Sequence, residues 1–158
     1  MPIEIDLARQ LLHAEFPGWQ REFPVSTAAN GPGEIVGSGR TPRGLHVVRA
    51  RIGAGAPLHT VFRARRPTGE VWTPALAAAS PPRRDWILTR ILWLSGCEPG
   101  VNRLGCVDTF RRYIYIHGTP PTTALGTPGS RGCIRLDGEA LIELFERTPA
   151  GTPVHLHE

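Results

Sequence analysis

A chain of 158 residues with 41% hydrophobic content fits one domain that can bury a core without disulfides or metal. All 18 basic residues are arginine, and a chain without lysine excludes Schiff-base catalysis, Ser-Lys dyads and the P-loop lysine. The net charge of +4 favours anionic ligands. Nucleic acid is not the expected one, since the arginines stand singly or in pairs (Arg65-Arg66, Arg83-Arg84, Arg111-Arg112) and no RNP, helix-turn-helix or finger signature accompanies them.

In chain order, Ile3, Leu7, Leu11 and Ala14 stand at helical spacing before the break at Pro17-Gly18. This predicts an N-terminal helical segment over residues 1–22, packed on a single domain of residues 23–158. The first twenty residues carry no basic start, apolar run and small-residue cleavage site of a secretion signal, so a cytoplasmic location is expected, or a periplasmic one if a leader has been removed. No window approaches the roughly 18 to 20 apolar residues of a membrane span, and no membrane partner is expected.

From Phe23 the pattern changes to short runs punctuated by Gly, Pro and Asn: Glu22 to Thr27, Leu45 to Ile52, Val61 to Ala64, Trp86 to Leu94, Tyr113 to Ile116 and Val154 to Leu156. In Leu45 to Ile52, His46, Val48, Ala50 and Ile52 alternate with Leu45, Val47, Arg49 and Arg51, which marks a strand with one buried face. Asp137 is placed to cap a helix running through Phe145, with Leu141, Leu144 and Phe145 on its apolar side. Ala77 to Pro82 reads as a loose surface loop. The expected fold class is mainly β, with one or two short helices.

Three cysteines, Cys97, Cys106 and Cys133, leave at least one thiol free. Neither a C-x-x-C pair nor a second cluster with zinc spacing is present, so no metal or cofactor is expected. His155-x-His157 would point two imidazoles to one side of a last strand, but a fraying C-terminus is the simpler account. Cys97 and Cys106 read as buried or loop thiols.

Cys133 differs in its setting. It lies in Ser130-Arg131-Gly132-Cys133-Ile134-Arg135-Leu136, and His117-Gly118 stands sixteen positions before it, after the strand Tyr113 to Ile116. A cysteine attacks a carbonyl as thiolate, so it needs a base or a positive charge nearby, here His117 and Arg131. With an ordinary pKa near 6.5, His117 can take the thiol proton and return it to a leaving amine. The plain alternatives are a small buried Cys133 and a structural His117.

These two segments resemble the signature of the YkuD-type L,D-transpeptidases, which act on the peptide stems of bacterial peptidoglycan. Arg40-Thr41-Pro42-Arg43-Gly44, Pro67-Thr68-Gly69-Glu70, Thr89-Arg90-Ile91-Leu92-Trp93-Leu94 and Gly151-Thr152-Pro153-Val154 agree with that family. The resemblance covers roughly Pro24 to Leu156 and implies a β-sandwich or barrel-like sheet core. Arg131 stands where the family most often has histidine.

By this resemblance Cys133 is the nucleophile, His117 the base, and the Gly118 carbonyl the group that orients the imidazole. Gly132 and Cys133 N–H groups, with Arg131 N–H in addition, would receive the oxyanion. The Arg131 side chain would steady the thiolate or hold a stem carboxylate, or simply be exposed. Ser130 would orient the loop or bind substrate. Arg135 would pair with a carboxylate in a mainly structural role, and Tyr115 would border the cleft.

The implied substrate is a muropeptide or peptidoglycan stem, cut between the diamino acid and D-Ala. Water as acceptor gives an L,D-carboxypeptidase of muropeptide recycling, the favoured expectation; an amine gives an L,D-transpeptidase. The resemblance also implies carbapenem-type β-lactams as covalent inhibitors. A non-catalytic peptidoglycan-binding module is the rival of a different class.

Overall fold

Apolar residues two apart, rather than three or four, organise the start of the chain. The computed structural model describes residues 1–158 and places β1 at Ile3–Asp6, β2 at Leu11–Phe16 and β3 at Trp19–Pro24. The helical segment expected over residues 1–22 is therefore three antiparallel-linked strands. Ile3 pairs with Ala14 and Ile5 with Leu12, all four fully buried, and a helix through Ile3, Leu7 and Leu11 would have left Ile5 and Leu12 off its apolar stripe. The reversal after β1 is fixed by polar groups: Asp6 Oδ1 accepts the Arg9 N–H at 2.9 Å, and Gln10 adopts φ 55°. The helical spacing in the sequence was a coincidence across this turn.

The remaining strands are β4 (Gly44–Ile52), β5 (Thr60–Arg63), β6 (Arg66–Val71), β7 (Ile87–Gly96), β8 (Tyr115–Thr119), β9 (Ile134–Asp137) and β10 (Pro153–His157). They form one ten-stranded sheet in the order β3-β2-β1-β10-β4-β7-β5-β6, with β8 joined to β7 and β9 joined to β8. The sheet curls into a half-barrel. β4 alternates as expected, with His46 and Val48 buried and Arg49 and Arg51 outward. The run expected over Glu22–Thr27 ends as a strand at Pro24, and beyond it Ser26 and Ala28 make isolated bridges to Arg135 and Ser130. Residues expected as a loose loop from Ala77 begin inside a short helix, α1 (Pro74–Ala78), whose first turn is capped by the Thr73 hydroxyl.

The helix α2 (Gly138–Arg147) starts where Asp137 accepts the Ala140 N–H at 3.1 Å and lays Leu141, Leu144 and Phe145 across β7, β8 and β9. Each of these fully buried side chains contributes about 1.5–3 kcal/mol of transfer free energy. They join Ile3, Ile5, Leu12, Leu92, Ile116, Ile134 and Leu156 in the main core. The two strands carrying the sequence motifs, β8 and β9, lie parallel and paired over this core, with His117 opposite Arg135 and Gly118 opposite Leu136. The expected end of the chain is also different: His155 and His157 belong to β10, and both approach Glu4 Oε2, at 3.0 and 3.4 Å.

Candidate active site

The parallel pairing of β8 with β9 brings Cys133 and His117 to one cleft of about 260 Å³, lined also by Tyr113, Tyr115, Asp85 and Ser130. That is below the usual range for cofactor and drug-sized sites, and suits one end of an extended chain.

His117 is buried, and its Nδ1 lies 2.6 Å from the Gly118 carbonyl. A carbonyl only accepts, so Nδ1 carries the proton and Nε2 keeps a lone pair toward the cleft. Gly118 is fixed by space: a Cβ there would come within 2.6 Å of the Leu88 carbonyl. The wall it meets is a bulge in β7 between Leu88 and Ile91, where buried Thr89 adopts φ 76°. A β-branched residue rarely takes that conformation, and here the Thr89 carbonyl and hydroxyl are both bonded, to Arg90 Nη1 and to the His59 N–H.

The Cys133 sulfur receives the Tyr115 N–H at 3.3 Å and donates to the Tyr113 carbonyl at 3.3 Å. Tyr113 can aim that carbonyl because it lies just outside β8 at φ 57°, with its ring exposed. Burial pushes the Cys133 thiol up to about 12, against the Tyr115 N–H and the charges of Arg135 and Arg112. Burial also lowers His117 below the ordinary histidine value, opposed by its bond to Gly118 and the charge of Asp85. The resting pair is therefore a neutral thiol and a neutral imidazole. Of the two aids expected from sequence, a base and a cation, this arrangement favours the base, because no thiolate is present for Arg131 to steady.

Ser130 staples the Cys133 loop. Its Oγ accepts the Gly132 N–H at 3.1 Å and donates to the Cys133 carbonyl at 2.6 Å. Gly132 adopts φ 137°, and an added Cβ would press on Ile114 and the Arg40 carbonyl. Because Ser130 occupies the Gly132 N–H, that group is withdrawn from the oxyanion set expected from sequence. The N–H groups of Cys133 and Arg131 make no hydrogen bond within the protein and remain available.

The two arginines of the motif point to the segment between α1 and β7. Arg131 donates to the Arg83 carbonyl at 2.8 Å, which commits the side chain expected to meet a thiolate or a carboxylate. Arg135 donates to the Gly129 carbonyl at 3.1 Å and pairs with Asp85 at 3.3 Å. Tyr115 is buried beneath the cleft, and its hydroxyl accepts from Arg65 at 3.1 Å. Cys97 and Cys106 are exposed free thiols away from this cleft.

Sequence reasoning missed Thr41, Asp85 and Arg112. Buried Thr41 accepts the Ala28 N–H at 3.0 Å and donates to the Gly132 carbonyl at 2.8 Å, fastening the loop from across the chain. Its segment Arg40-Thr41-Pro42 was noticed as a motif, but nothing local shows what a threonine will bond 91 residues away.

The family model for the L,D-transpeptidase catalytic domain, YkuD, matches residues 2–156. No curated protein matches the chain by sequence. Among solved structures, an L,D-transpeptidase (residues 123–326) from Xylanimonas cellulosilytica DSM 15894 is 22% identical, with 98% of this chain and 59% of that one covered and a TM-score of 0.53. L,D-transpeptidase 3 from Mycobacterium tuberculosis, in complex with a faropenem-derived adduct, is 15% identical over 99% and 59%, with a TM-score of 0.60. An L,D-transpeptidase from Mycobacterium smegmatis is 16% identical over 99% and 58%, with a TM-score of 0.56. The chain thus spans just under three fifths of these structures, which share its curled sheet. With the family model matched over nearly its whole length, the chain belongs to the YkuD family of L,D-transpeptidase catalytic domains.

Proposed function

We propose that the protein is a cysteine acyltransferase acting on peptidoglycan tetrapeptide stems. One observation carries this reading: the Gly118 carbonyl holds the His117 proton on Nδ1, so Nε2 faces, as a free base, the cleft that the Cys133 sulfur enters. Cys133 Sγ forms a bond to the carbonyl carbon at the L-centre of the diamino acid while its proton passes to His117 Nε2. The N–H groups of Cys133 and Arg131 receive the negative oxygen. The tetrahedral adduct then expels D-Ala as the C–N bond breaks, and the proton moves from His117 to the departing amine. A thioester on Cys133 remains.

Water attacking that thioester, deprotonated by His117, releases a tripeptide and restores the thiol. We favour this L,D-carboxypeptidase outcome because the cleft of about 260 Å³ suits a single stem end. Such hydrolysis fits recycling of muropeptides in the cytoplasm. The second outcome, transfer to an amine, is supported by an open groove of about 440 Å³ that shares Arg112, Tyr113 and Arg131 with the cleft and would admit another stem. The Mycobacterium tuberculosis neighbour was solved with a faropenem-derived adduct. A carbapenem-type β-lactam is by analogy the expected covalent probe of Cys133.

The test is incubation of the protein and of Cys133→Ala with a tetrapeptide stem and excess D-amino acid, followed by mass spectrometry. Tripeptide from the unmodified chain alone is the expected result, and exchanged or cross-linked stems would establish transfer to amines. An untouched substrate, with no acylation of Cys133 by a carbapenem, would leave a binding module.

A further inference from the structure

Arg112 has no role in the chemistry above, yet it reaches both sides of the nucleophile. It is half-buried just before β8 and lines the cleft together with Cys133 as well as the adjoining groove. Its Nη1 donates to the Gly33 and Glu34 carbonyls at 3.2 Å each, and its Nη2 to the Ser38 hydroxyl at 3.5 Å and to the Arg40 carbonyl. Every one of these acceptors is neutral. The Glu34 carboxylate is turned to Arg43, at 3.0 Å, so it acts on this guanidinium through its charge and not through a hydrogen bond.

Among the other arginines around the sulfur only Arg135 has a carboxylate partner; Arg65 and Arg131 also bond neutral acceptors, and of all four only Arg135 and Arg112 bear on the thiol through their charge. Arg135 is paired with Asp85, Arg65 faces the Tyr115 hydroxyl, and Arg131 faces the Arg83 carbonyl. His117 and the Tyr115 phenol are held neutral by burial, and Tyr113 contributes its carbonyl. Asp85 opposes a negative sulfur, whereas Arg135 and Arg112 favour one, and Arg112 and Cys133 act on each other in both directions.

Arg112 is also tied to the loop mechanically. Its chain neighbour Tyr113 supplies the carbonyl that accepts the Cys133 thiol, and the Arg40 carbonyl it binds lies against Gly132. We propose that Arg112 is a positioning residue with an electrostatic part: its charge, which no carboxylate hydrogen-bonds, stabilises the sulfur as the proton leaves, while its N–H groups hold segment 33–40 against the Cys133 loop. This rests on the reading of Cys133 as nucleophile.

The test is alkylation of the full chain by iodoacetamide between pH 6 and 10, followed at each cysteine by peptide mass, because Cys97 and Cys106 are exposed and will also react. Arg112→Gln keeps hydrogen-bond donors without charge, and Arg112→Lys keeps charge. A nearby cation moves a thiol by about one pKa unit, so Arg112→Gln should slow Cys133 about tenfold at each pH. Arg112→Lys should return it to within about threefold of the unmodified chain by restoring the charge. Equal slowing in both variants, or no slowing in either, overturns the electrostatic part. Should the variants not fold, the unmodified chain decides: Cys133 must favour anionic iodoacetate over iodoacetamide more than Cys97 and Cys106 do, and equal ratios overturn the proposal. None of these readouts needs a substrate. Turnover without Arg112 dependence removes only this inference, and Arg112-dependent alkylation without turnover removes only the acyltransferase reading.

Discussion

Two buried histidines, one in β4 and one in β8, begin alike and end differently. His46 and His117 are each about 1% exposed, and each sets Nδ1 on a backbone carbonyl, of Gly44 at 3.0 Å and of Gly118 at 2.6 Å. Around His46 the second nitrogen is also used, since Nε2 meets the Thr109 hydroxyl at 2.9 Å. Around His117 the second nitrogen has no protein partner and meets the cleft instead. Burial and one fixed tautomer thus leave either a ring bonded at both nitrogens or a ring with one nitrogen free, and the partner of Nε2 separates the two.

The sharpest way to break this contrast is to remove each ring. Losing a general base costs about 10²–10⁴-fold in rate, so His117→Ala should lower turnover of a tetrapeptide stem by about a thousandfold, with a smaller loss of stability than at His46 because one protein hydrogen bond is removed and not two. His46→Ala should do the reverse. It removes two buried hydrogen bonds and leaves a void, for about 2–3 kcal/mol in denaturant unfolding, with turnover within about twofold. If both variants lose mainly stability, His117 is structural and the acyltransferase reading fails.

Acid separates the pair by a different readout. Burial lowers His46 from 6.5 to about 4. A histidine with a depressed native pKa gives stability that is complete above pH 6.5 and is lost as pH falls toward 4, because only the unfolded chain takes the proton in that window. At about 1.4 kcal/mol per pKa unit, the loss between pH 6.5 and 4 should reach about 3 kcal/mol, and His46→Gln should flatten it. His117 is also lowered, so the acid limb of kcat/KM should have its midpoint below 6.5. With the thiol at about 12, no second step belongs near neutrality, and the rate should stay level through pH 9. An acid limb centred at 6.5 or higher would contradict the buried, neutral imidazole.

The two histidines also show what the sequence could and could not carry. His46 was legible as an inward residue of β4 from strict alternation, because that face packs on one side only. His117 and Cys133 were legible through residue types at a fixed separation, which the parallel β8–β9 pair converts into proximity. The N-terminal strands were not legible, because Ile3, Leu7 and Leu11 satisfy helical spacing until the Asp6–Gln10 turn is known. The raised thiol pKa was hidden for a related reason: it depends on how deeply the loop is buried, and of the two cations nearest in sequence Arg131 is turned to the Arg83 carbonyl and Arg135 is paired with Asp85. Thr41 and Asp85 lie far along the chain from Cys133, and Arg112, though only five residues before His117, shows by no local pattern that it will reach across to segment 33–40.

The finest test concerns the staple that separates a positioned loop from a merely buried one. Ser130 Oγ holds the Gly132 N–H and the Cys133 carbonyl together, while Thr41 holds the Gly132 carbonyl from the other side. Ser130→Ala frees the Gly132 N–H and loosens the carbonyl, at a cost of about 1 kcal/mol for each bond lost. Because the freed N–H lies beside Cys133, kcat should fall about tenfold with KM nearly unchanged, and the two lost bonds should lower the thermal midpoint by a few degrees. Thr41→Val, which removes the bond to the same glycine but leaves Ser130 in place, should lower the thermal midpoint more and kcat less. Were Ser130→Ala to raise kcat instead, the freed Gly132 N–H would be an oxyanion donor after all, and the set of Cys133 and Arg131 N–H groups would have to include it.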